Sequence, residues 1–121
     1  MLELKEFIAL CKQYCPEWEN YEDWGDGEYW VYFKKSSEYA LCMYQYAEKK
    51  IFMPYEIMYE DGDFTVITDK GISPAVWEDQ IEINAEDKDA KDKVIEILTK
   101  LHQYYKQIQH ELKLNKIKED F

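Results

Sequence analysis

Residues 17–28 form the densest group of side chains that could do chemistry, because carboxylates are interspersed there with large aromatic rings. The segment reads Glu-Trp-Glu-Asn-Tyr-Glu-Asp-Trp-Gly-Asp-Gly-Glu and contains six acids and no base. A calcium loop of the EF-hand type needs acids or amides at alternate positions. Counted from Asp23, those positions hold Gly25 and Gly27. The segment therefore does not fit a calcium site.

The same segment suits the recognition of another protein. Tyr and Trp dominate the binding energy of interfaces, and carboxylates attract a basic partner. The alternative is a solvated loop whose aromatic rings fold back into the core. On the first interpretation the partner-binding residues of this segment are Glu17, Trp18, Glu19, Tyr21, Glu22, Asp23, Trp24, Asp26 and Glu28.

Two further acidic clusters follow in the chain. One surrounds a predicted hairpin tip and adds four partner-binding candidates, namely Glu56, Glu60, Asp61 and Asp63. It could lie on the same side as the 17–28 segment, where arrayed carboxylates would imitate a phosphate backbone, which places one charge per ~1.7 Å of DNA axis. The other cluster, within residues 78–92, is diluted by lysines, and we interpret it as a solvated face.

The remaining reactive side chains predict neither a metal site nor a catalytic site. His102 and His110 are eight residues apart on one predicted helix, too far apart to share a metal. Cys11, Cys15 and Cys42 lack the second pair or the histidine spacing that would complete a zinc site, so they are interpreted as buried thiols. Nucleophile elbows, phosphate loops and dinucleotide fingerprints are missing from the sequence. We expect no cofactor and no enzymatic activity; an enzyme based on carboxylates or tyrosines ranks below the binding hypotheses.

Charge restricts the partners further. The chain has 26 acids against 15 basic residues, a net of −11, and every basic residue is Lys. The charge is uneven: residues 1–92 carry 22 acids against 9 lysines, a net of −13, and residues 93–121 carry a net of +2. Such a surface repels phosphate, so we expect no direct binding of nucleic acid or of an anionic membrane. The expected partner is a basic protein; the alternative is that the charge only keeps the protein soluble.

The cellular setting is predicted from cysteines and hydropathy. The cysteine count is odd and follows no disulfide framework, and no apolar run approaches the ~20 residues of a membrane span. Together with the lack of a recognisable signal segment, this predicts a cytoplasmic protein with free thiols.

The elements that must position these residues alternate between helical and strand patterns. Apolar residues at three- and four-residue spacing predict a helix over 3–15, which Pro16 ends, and residues 16–28 are expected to form a loop. Strands are predicted near 28–34, 39–47, 51–59 and 63–69, although the 38–48 run also tolerates a helix. Asp61-Gly62 predicts a type I′ hairpin, and Pro54 an edge strand or a strand that starts there. A short helical turn is expected from Ser73 to Trp77.

A long helix is predicted over 87–118, capped by Asn84 or Asp87. Its apolar positions step by four and three residues, at Val94, Leu98, Leu101, Tyr105, Ile108 and Leu112. Such spacing fits packing on the sheet, and it also fits a homodimer formed through the 94–112 segment.

These elements give one domain, residues 1–121, of the α+β class: an N-terminal helix, a four-stranded antiparallel meander and a long C-terminal helix. In size, acidity and aromatic content the chain resembles small phage or mobile-element inhibitors, such as anti-CRISPR and anti-restriction proteins that imitate nucleic acid. The resemblance implies an inhibitor that occupies the basic nucleic-acid-binding surface of a target protein. The alternative is an acidic toxin-immunity protein or secretion chaperone that binds one dedicated partner.

Overall fold

The computed structural model describes residues 1–68, 71–72 and 80–119, and its elements are of the α+β class, as predicted. In chain order, helix α1 (Leu4–Tyr14) comes first, eight strands follow, and helix α2 (Ala90–Glu119) comes last. The strands are β1 (Asn20–Asp23), β2 (Glu28–Tyr32), β3 (Cys42–Gln45), β4 (Lys50–Met53), β5 (Glu56–Glu60), β6 (Asp63–Thr68), β7 (Gly71–Ile72) and β8 (Ile81–Asn84).

The strands form two antiparallel sheets instead of one four-stranded meander. The larger sheet has the order β1-β2-β3-β4-β8, and the smaller has the order β5-β6-β7. The division falls at Pro54, because the predicted 51–59 strand is two strands, β4 and β5, in different sheets. Proline cannot donate a ladder hydrogen bond, so it suits the junction between the two sheets.

The main core cluster lies on one face of the larger sheet, beneath the two helices; on the other face Met43 and Phe52, which the register places beside Trp30, are buried as well. Alternate residues of its strands point to this face and are buried, among them Val31, Tyr44 and Ile51. Phe7 of α1 packs edge-on against the Tyr44 ring, with ring centroids 5.5 Å apart. The thiol of Cys15 donates to the Leu98 carbonyl at 3.3 Å and so joins the end of α1 to α2. Both helices therefore lie on the same side of the sheet.

Several local predictions are confirmed. Helix α1 spans 4–14, and residues 42–45 form a strand rather than a helix. The β5–β6 connection is the predicted two-residue turn, with φ of 51° at Asp61 and 83° at Gly62. Positive φ at both positions is the requirement of a type I′ turn.

Other predictions are corrected. Residues 16–28 are not all loop, because β1 lies within them and pairs with β2. The predicted caps of α2 do not begin it: the Asp89 carbonyl accepts the first helical hydrogen bond, from Lys93 N at 3.0 Å. The side chain of Asn84 instead accepts from Glu86 N at 2.9 Å in a local turn. The predicted helical turn from Ser73 to Trp77 lies outside the described residues.

Helix α2 changes its environment along its length. At ~1.5 Å per residue its 30 residues extend for about 45 Å. Val94, Leu98 and Leu101 are buried in the core of the same chain, and Tyr105, Ile108 and Leu112 are half-buried. From residue 113 to residue 118 every side chain is exposed. The apolar positions in the first half of the 94–112 segment are thus buried within one chain, and those in its last turns are only partly covered. No helix among the described residues has the length and apolar character needed to cross a membrane.

Candidate functional site: an aromatic–acidic surface on the outer face of the sheet

Aromatic rings and carboxylates meet on the face of the larger sheet opposite the helices. We call this feature the aromatic–acidic surface and define it by Glu22, Trp24, Asp26, Glu28 and Trp30; Tyr32 lies beneath its edge and is buried. The strand register places Trp30 beside Glu22, and Trp30 and Tyr32 share one face of β2 because they are two residues apart. Trp24 is 52% exposed, and its ring lies over the ring of Trp30 with centroids 4.9 Å apart. Trp30 in turn lies 6.3 Å from Tyr32.

Hydrogen bonds fix the turn that carries this surface. Glu28 accepts from the Trp30 indole at 2.9 Å, and Trp24 N donates to the Glu28 carbonyl at 3.0 Å. One carboxylate oxygen of Asp23 accepts from both Gly25 N and the Tyr46 hydroxyl, each at 2.9 Å. The exposed indole is therefore held in place before any partner arrives, which lowers the entropy lost on binding.

Gly27 allows this turn to pack against the β3–β4 connection. Its φ is +81°, and a Cβ built on it would lie 2.5 Å from the Cβ of Ala47. Ala47 N also donates to the Gly27 carbonyl at 3.3 Å. Any larger residue at position 27 would push the two turns apart.

The carboxylates of this region act on the nearby tyrosines. Burial, followed by the charge of Glu22, raises the pKa of Tyr32, and a hydrogen bond from the Trp24 side chain opposes that rise. The hydrogen bond that Tyr46 makes to Asp23 is the main cause of its raised pKa. Both phenols stay protonated at neutral pH, so the negative charge of this region comes from its carboxylates.

Three of the predicted partner-binding residues in segment 17–28 point away from this surface. Trp18 is 4% exposed and belongs to the core, so its ring is not available as an anchor. Tyr21 faces the core across from Val31, and its hydroxyl is buried without a hydrogen-bond partner. The Glu17 side chain is only 4% exposed, and both its oxygens lie 3.0–3.1 Å from Nδ1 of His102 on α2. The alternative interpretation, rings folded into the core, holds for Trp18 and Tyr21.

Position in the strand explains the burial of Tyr21. Odd-numbered Tyr21 and even-numbered Glu22 point to opposite faces once β1 pairs with β2. Glu19 is exposed and immediately precedes Asn20, the first residue of β1. Its N–H donates to the Phe33 carbonyl at 2.9 Å, which extends the β1–β2 pairing by one residue. The sequence did not reveal the Glu17–His102 pair, because its members are 85 residues apart. The only indication of this pair in the sequence was His102 itself, a histidine on the predicted long helix.

Three members of the second predicted cluster, Glu60, Asp61 and Asp63, line a separate acidic cleft at the β5–β6 tip, whereas Glu56 is not at the tip as predicted, because it pairs with Ile67 at the other end of the hairpin. Glu56, Glu60 and Asp61 are exposed, whereas Asp63 is half-buried and accepts from the Ser37 hydroxyl at 2.8 Å. The Lys34 ammonium donates to the Gly62 carbonyl at 2.9 Å. The cleft has a volume of about 620 Å³ and is lined by Lys34, Ser36, Glu38, Tyr39, Glu60, Asp61, Asp63, Phe64 and Thr65.

The aromatic–acidic surface and the acidic cleft lie towards opposite ends of β2. Asp26 precedes this strand, and Lys34 and Ser37, which contact the hairpin, follow it. The four steps from residue 28 to residue 32, at about 3.4 Å each, separate the ends of the strand by roughly 14 Å. The two clusters are therefore distinct, and a partner that contacts both must extend along the strand.

The 78–92 cluster is a solvated face where it is described. Its Glu82 and Glu86 lie 3.9 Å from Lys50 and Lys49, in exposed ion pairs of little energetic weight. Glu78 and Asp79 lie outside the described residues.

The cysteines are placed as buried free thiols. Cys11, Cys15 and Cys42 are all buried and unpaired by disulfides. Burial is the main cause of the raised pKa of Cys11, and a hydrogen bond with Cys42 adds to it. Burial likewise raises the pKa of Cys15, with a contribution from the charge of Glu17. These thiols are therefore poor nucleophiles. No group of three histidine, cysteine or acidic residues within the described part of the chain is arranged to hold a metal ion.

Comparison with known proteins identifies no relative: no family model, curated protein or solved structure matches the chain. The functional argument consequently rests on the geometry of the site.

Proposed function

We propose that the protein is an acidic binding protein whose aromatic–acidic surface docks on a basic surface of another protein. The observation that supports this most directly is Trp24, an indole 52% exposed, held by a hydrogen-bonded turn and bordered by carboxylates. A large apolar ring exposed on an ordered turn contributes nothing to the core of its own chain. It is, however, the type of side chain that dominates binding energy at interfaces.

The chemistry around Trp24 selects a basic partner. Lysine and arginine side chains stack on indole faces, and Trp is the strongest aromatic acceptor of such cations. Glu22, Asp26 and Glu28 would pair with the same cations and would accelerate their approach. A surface that carries both features recognises basic side chains by two mechanisms at once.

The partner class we propose is a nucleic-acid-binding enzyme, which the protein inhibits by occupying the basic surface that phosphates would otherwise contact. The net charge of −11 and the second acidic cleft beyond β2 support an extended basic partner surface. This is the activity of the phage and mobile-element inhibitors that the chain resembles in composition. We place it in the cytoplasm, because three free thiols suit a reducing compartment.

A pull-down tests this proposal. The immobilised protein is exposed to a lysate, and the retained proteins are identified at low salt, at high salt and after addition of DNA or RNA. We expect a basic nucleic-acid enzyme that is released by salt and by nucleic acid, because both compete for the same charges. A retained partner that is indifferent to nucleic acid would instead indicate an immunity protein or a chaperone.

Matched variants locate the surface. Trp24→Ala is expected to reduce the affinity for that partner by at least about tenfold, the loss typical of an aromatic anchor. Tyr55→Ala, which removes an aromatic ring 48% exposed elsewhere, is the control. Glu22→Gln/Asp26→Asn should weaken the salt dependence, whereas Asp87→Asn/Glu96→Gln removes the same charge outside the surface. Equal effects of a variant and its control would refute the assignment of the surface.

A further inference from the structure

The exposed end of α2 carries a surface complementary to the aromatic–acidic surface. Leu114 and Ile117 are 43% and 53% exposed, unlike the core-facing residues of the same helix. At 100° per residue they lie about 140–160° around the helix axis from Leu112, on the side away from the body. Lys113 and Lys118 are also exposed and are the i±4 neighbours of Ile117 and Leu114. We call these four residues the basic–apolar stripe.

The stripe differs in charge from the rest of the chain. Residues 106–118 carry four lysines against one glutamate, whereas residues 1–92 carry a net of −13. The stripe therefore presents two apolar side chains flanked by cations. The aromatic–acidic surface presents an exposed indole flanked by carboxylates. Both surfaces therefore offer apolar groups that can pack together, and the charges around those groups are opposite in sign.

One chain does not satisfy this complementarity by itself. Helix α2 contacts α1, β5 and β8, and it lies on the core side of the sheet, whereas Trp24 is on the opposite face. Trp24, Leu114 and Ile117 all remain exposed in the isolated chain. The stripe can reach an aromatic–acidic surface only on another molecule.

We propose that a second copy of this chain occupies the surface: the basic–apolar stripe of one molecule docks on the aromatic–acidic surface of the other. Two stripes facing each other would bring four lysines together, which is unfavourable. The acidic cleft at the β5–β6 tip offers charge but lacks an exposed indole. The inference rests on the proposed function in one respect, since both require the aromatic–acidic surface to be a docking surface. Self-association then competes with the basic partner for the same surface.

Sedimentation of the purified full chain tests this inference. Concentrations from about 1 to about 500 µM cover the weak affinities expected of a small contact. We expect the average mass to rise above 14.7 kDa with concentration at low salt, and to rise less at high salt. A mass that stays at 14.7 kDa throughout, or association that strengthens with salt, would overturn the proposal.

Variants at exposed positions identify the two halves of the contact. Trp24→Ala and Leu114→Ser/Ile117→Ser should each raise the dissociation constant at least about tenfold. Their mixture should recover association, because the intact stripe of the first variant meets the intact surface of the second. Glu60→Gln/Asp61→Asn, which removes two charges from the acidic cleft, should leave the constant unchanged. A mixture without recovery, or weakening by the cleft variant, would overturn this assignment.

The two proposals fail in different ways. If self-association is absent but Trp24→Ala still abolishes capture of a basic partner, only the inference of a second copy is wrong. If self-association is present and no basic partner is captured, the proposed function is wrong and the self-contact stands.

Discussion

Replacing Tyr21 by Phe should stabilise the protein, because the Tyr21 hydroxyl is buried without a hydrogen-bond partner. The ring itself is well placed, packed against the core with the Lys12 ammonium 5.1 Å from its centroid. Phenylalanine retains the ring and this cation contact and removes only the oxygen. The matched control is Tyr44→Phe, since the buried Tyr44 hydroxyl donates to the Leu2 carbonyl.

The magnitude follows from the cost of an unsatisfied buried group. Leaving such a group without a partner costs about 1–3 kcal/mol. We therefore expect Tyr21→Phe to raise the free energy of unfolding by roughly 1 kcal/mol, equivalent to about 3–5 °C in Tm for a domain of this size. Tyr44→Phe leaves a carbonyl without its donor and should lower the free energy of unfolding by about 1 kcal/mol.

The effect should grow with pH. Burial raises the pKa of Tyr21, with smaller contributions from the neighbouring thiols. In the unfolded chain a tyrosine ionises near pH 10. The unfolded state therefore loses this proton first, and the stability linked to it is lost as the pH rises above about 10. Phenylalanine has no such proton, so the advantage of Tyr21→Phe should widen by roughly 1 kcal/mol between pH 7 and pH 10.5.

Urea unfolding of the wild type and both variants at the two pH values measures these differences. A Tyr21→Phe variant less stable than the wild type at pH 7 would show that the hydroxyl has a partner and refute the reasoning. An advantage independent of pH would show that the phenol is not protected from ionisation in the folded state.

Two further changes probe the contacts around the site. His102→Ala should destabilise the protein by about 2 kcal/mol in urea unfolding, since it leaves the buried Glu17 carboxylate without its partner. Adding Glu17→Gln to that variant should recover part of the loss, and strictly additive losses would contradict the pairing. Gly27→Ala should lower the melting temperature more than Gly25→Ala. Both positions have a positive φ, which costs an alanine about 1 kcal/mol, but only at position 27 would the new Cβ also clash with Ala47. Equal losses at the two glycines would show that the turns separate freely.

Local signals predicted part of this fold. The apolar spacing of 3–15 and the Asp61-Gly62 pair gave α1 and the β5–β6 turn, because each depends on residues close in sequence. The start of α2 was predicted to within three residues. Its capping residue was predicted wrongly, because several acids precede the helix and each could serve as the cap.

Long-range pairing explains what the sequence did not reveal. The side chains of β1 divide into a core-facing and a solvent-facing set only because β2 pairs with it. In the sequence alone the acids of this segment indicated a loop, so the strand was missed. β8 adds to the larger sheet beside β4, about 30 residues earlier in the chain, and was not predicted. Of the candidate site, Trp24, Glu22, Asp26 and Glu28 are brought together, whereas the burial of Trp18 and Glu17 depends on where the helices pack.

The position of β1 at the border of the larger sheet bears on aggregation. A border strand offers unpaired N–H and C=O groups on which a strand of another molecule can grow. β1 has only four residues, Asn-Tyr-Glu-Asp, and two of them are carboxylates. An incoming strand would gain few ladder hydrogen bonds and would face two negative charges. An exposed indole therefore lies next to a sheet border that is itself a poor template for an added strand.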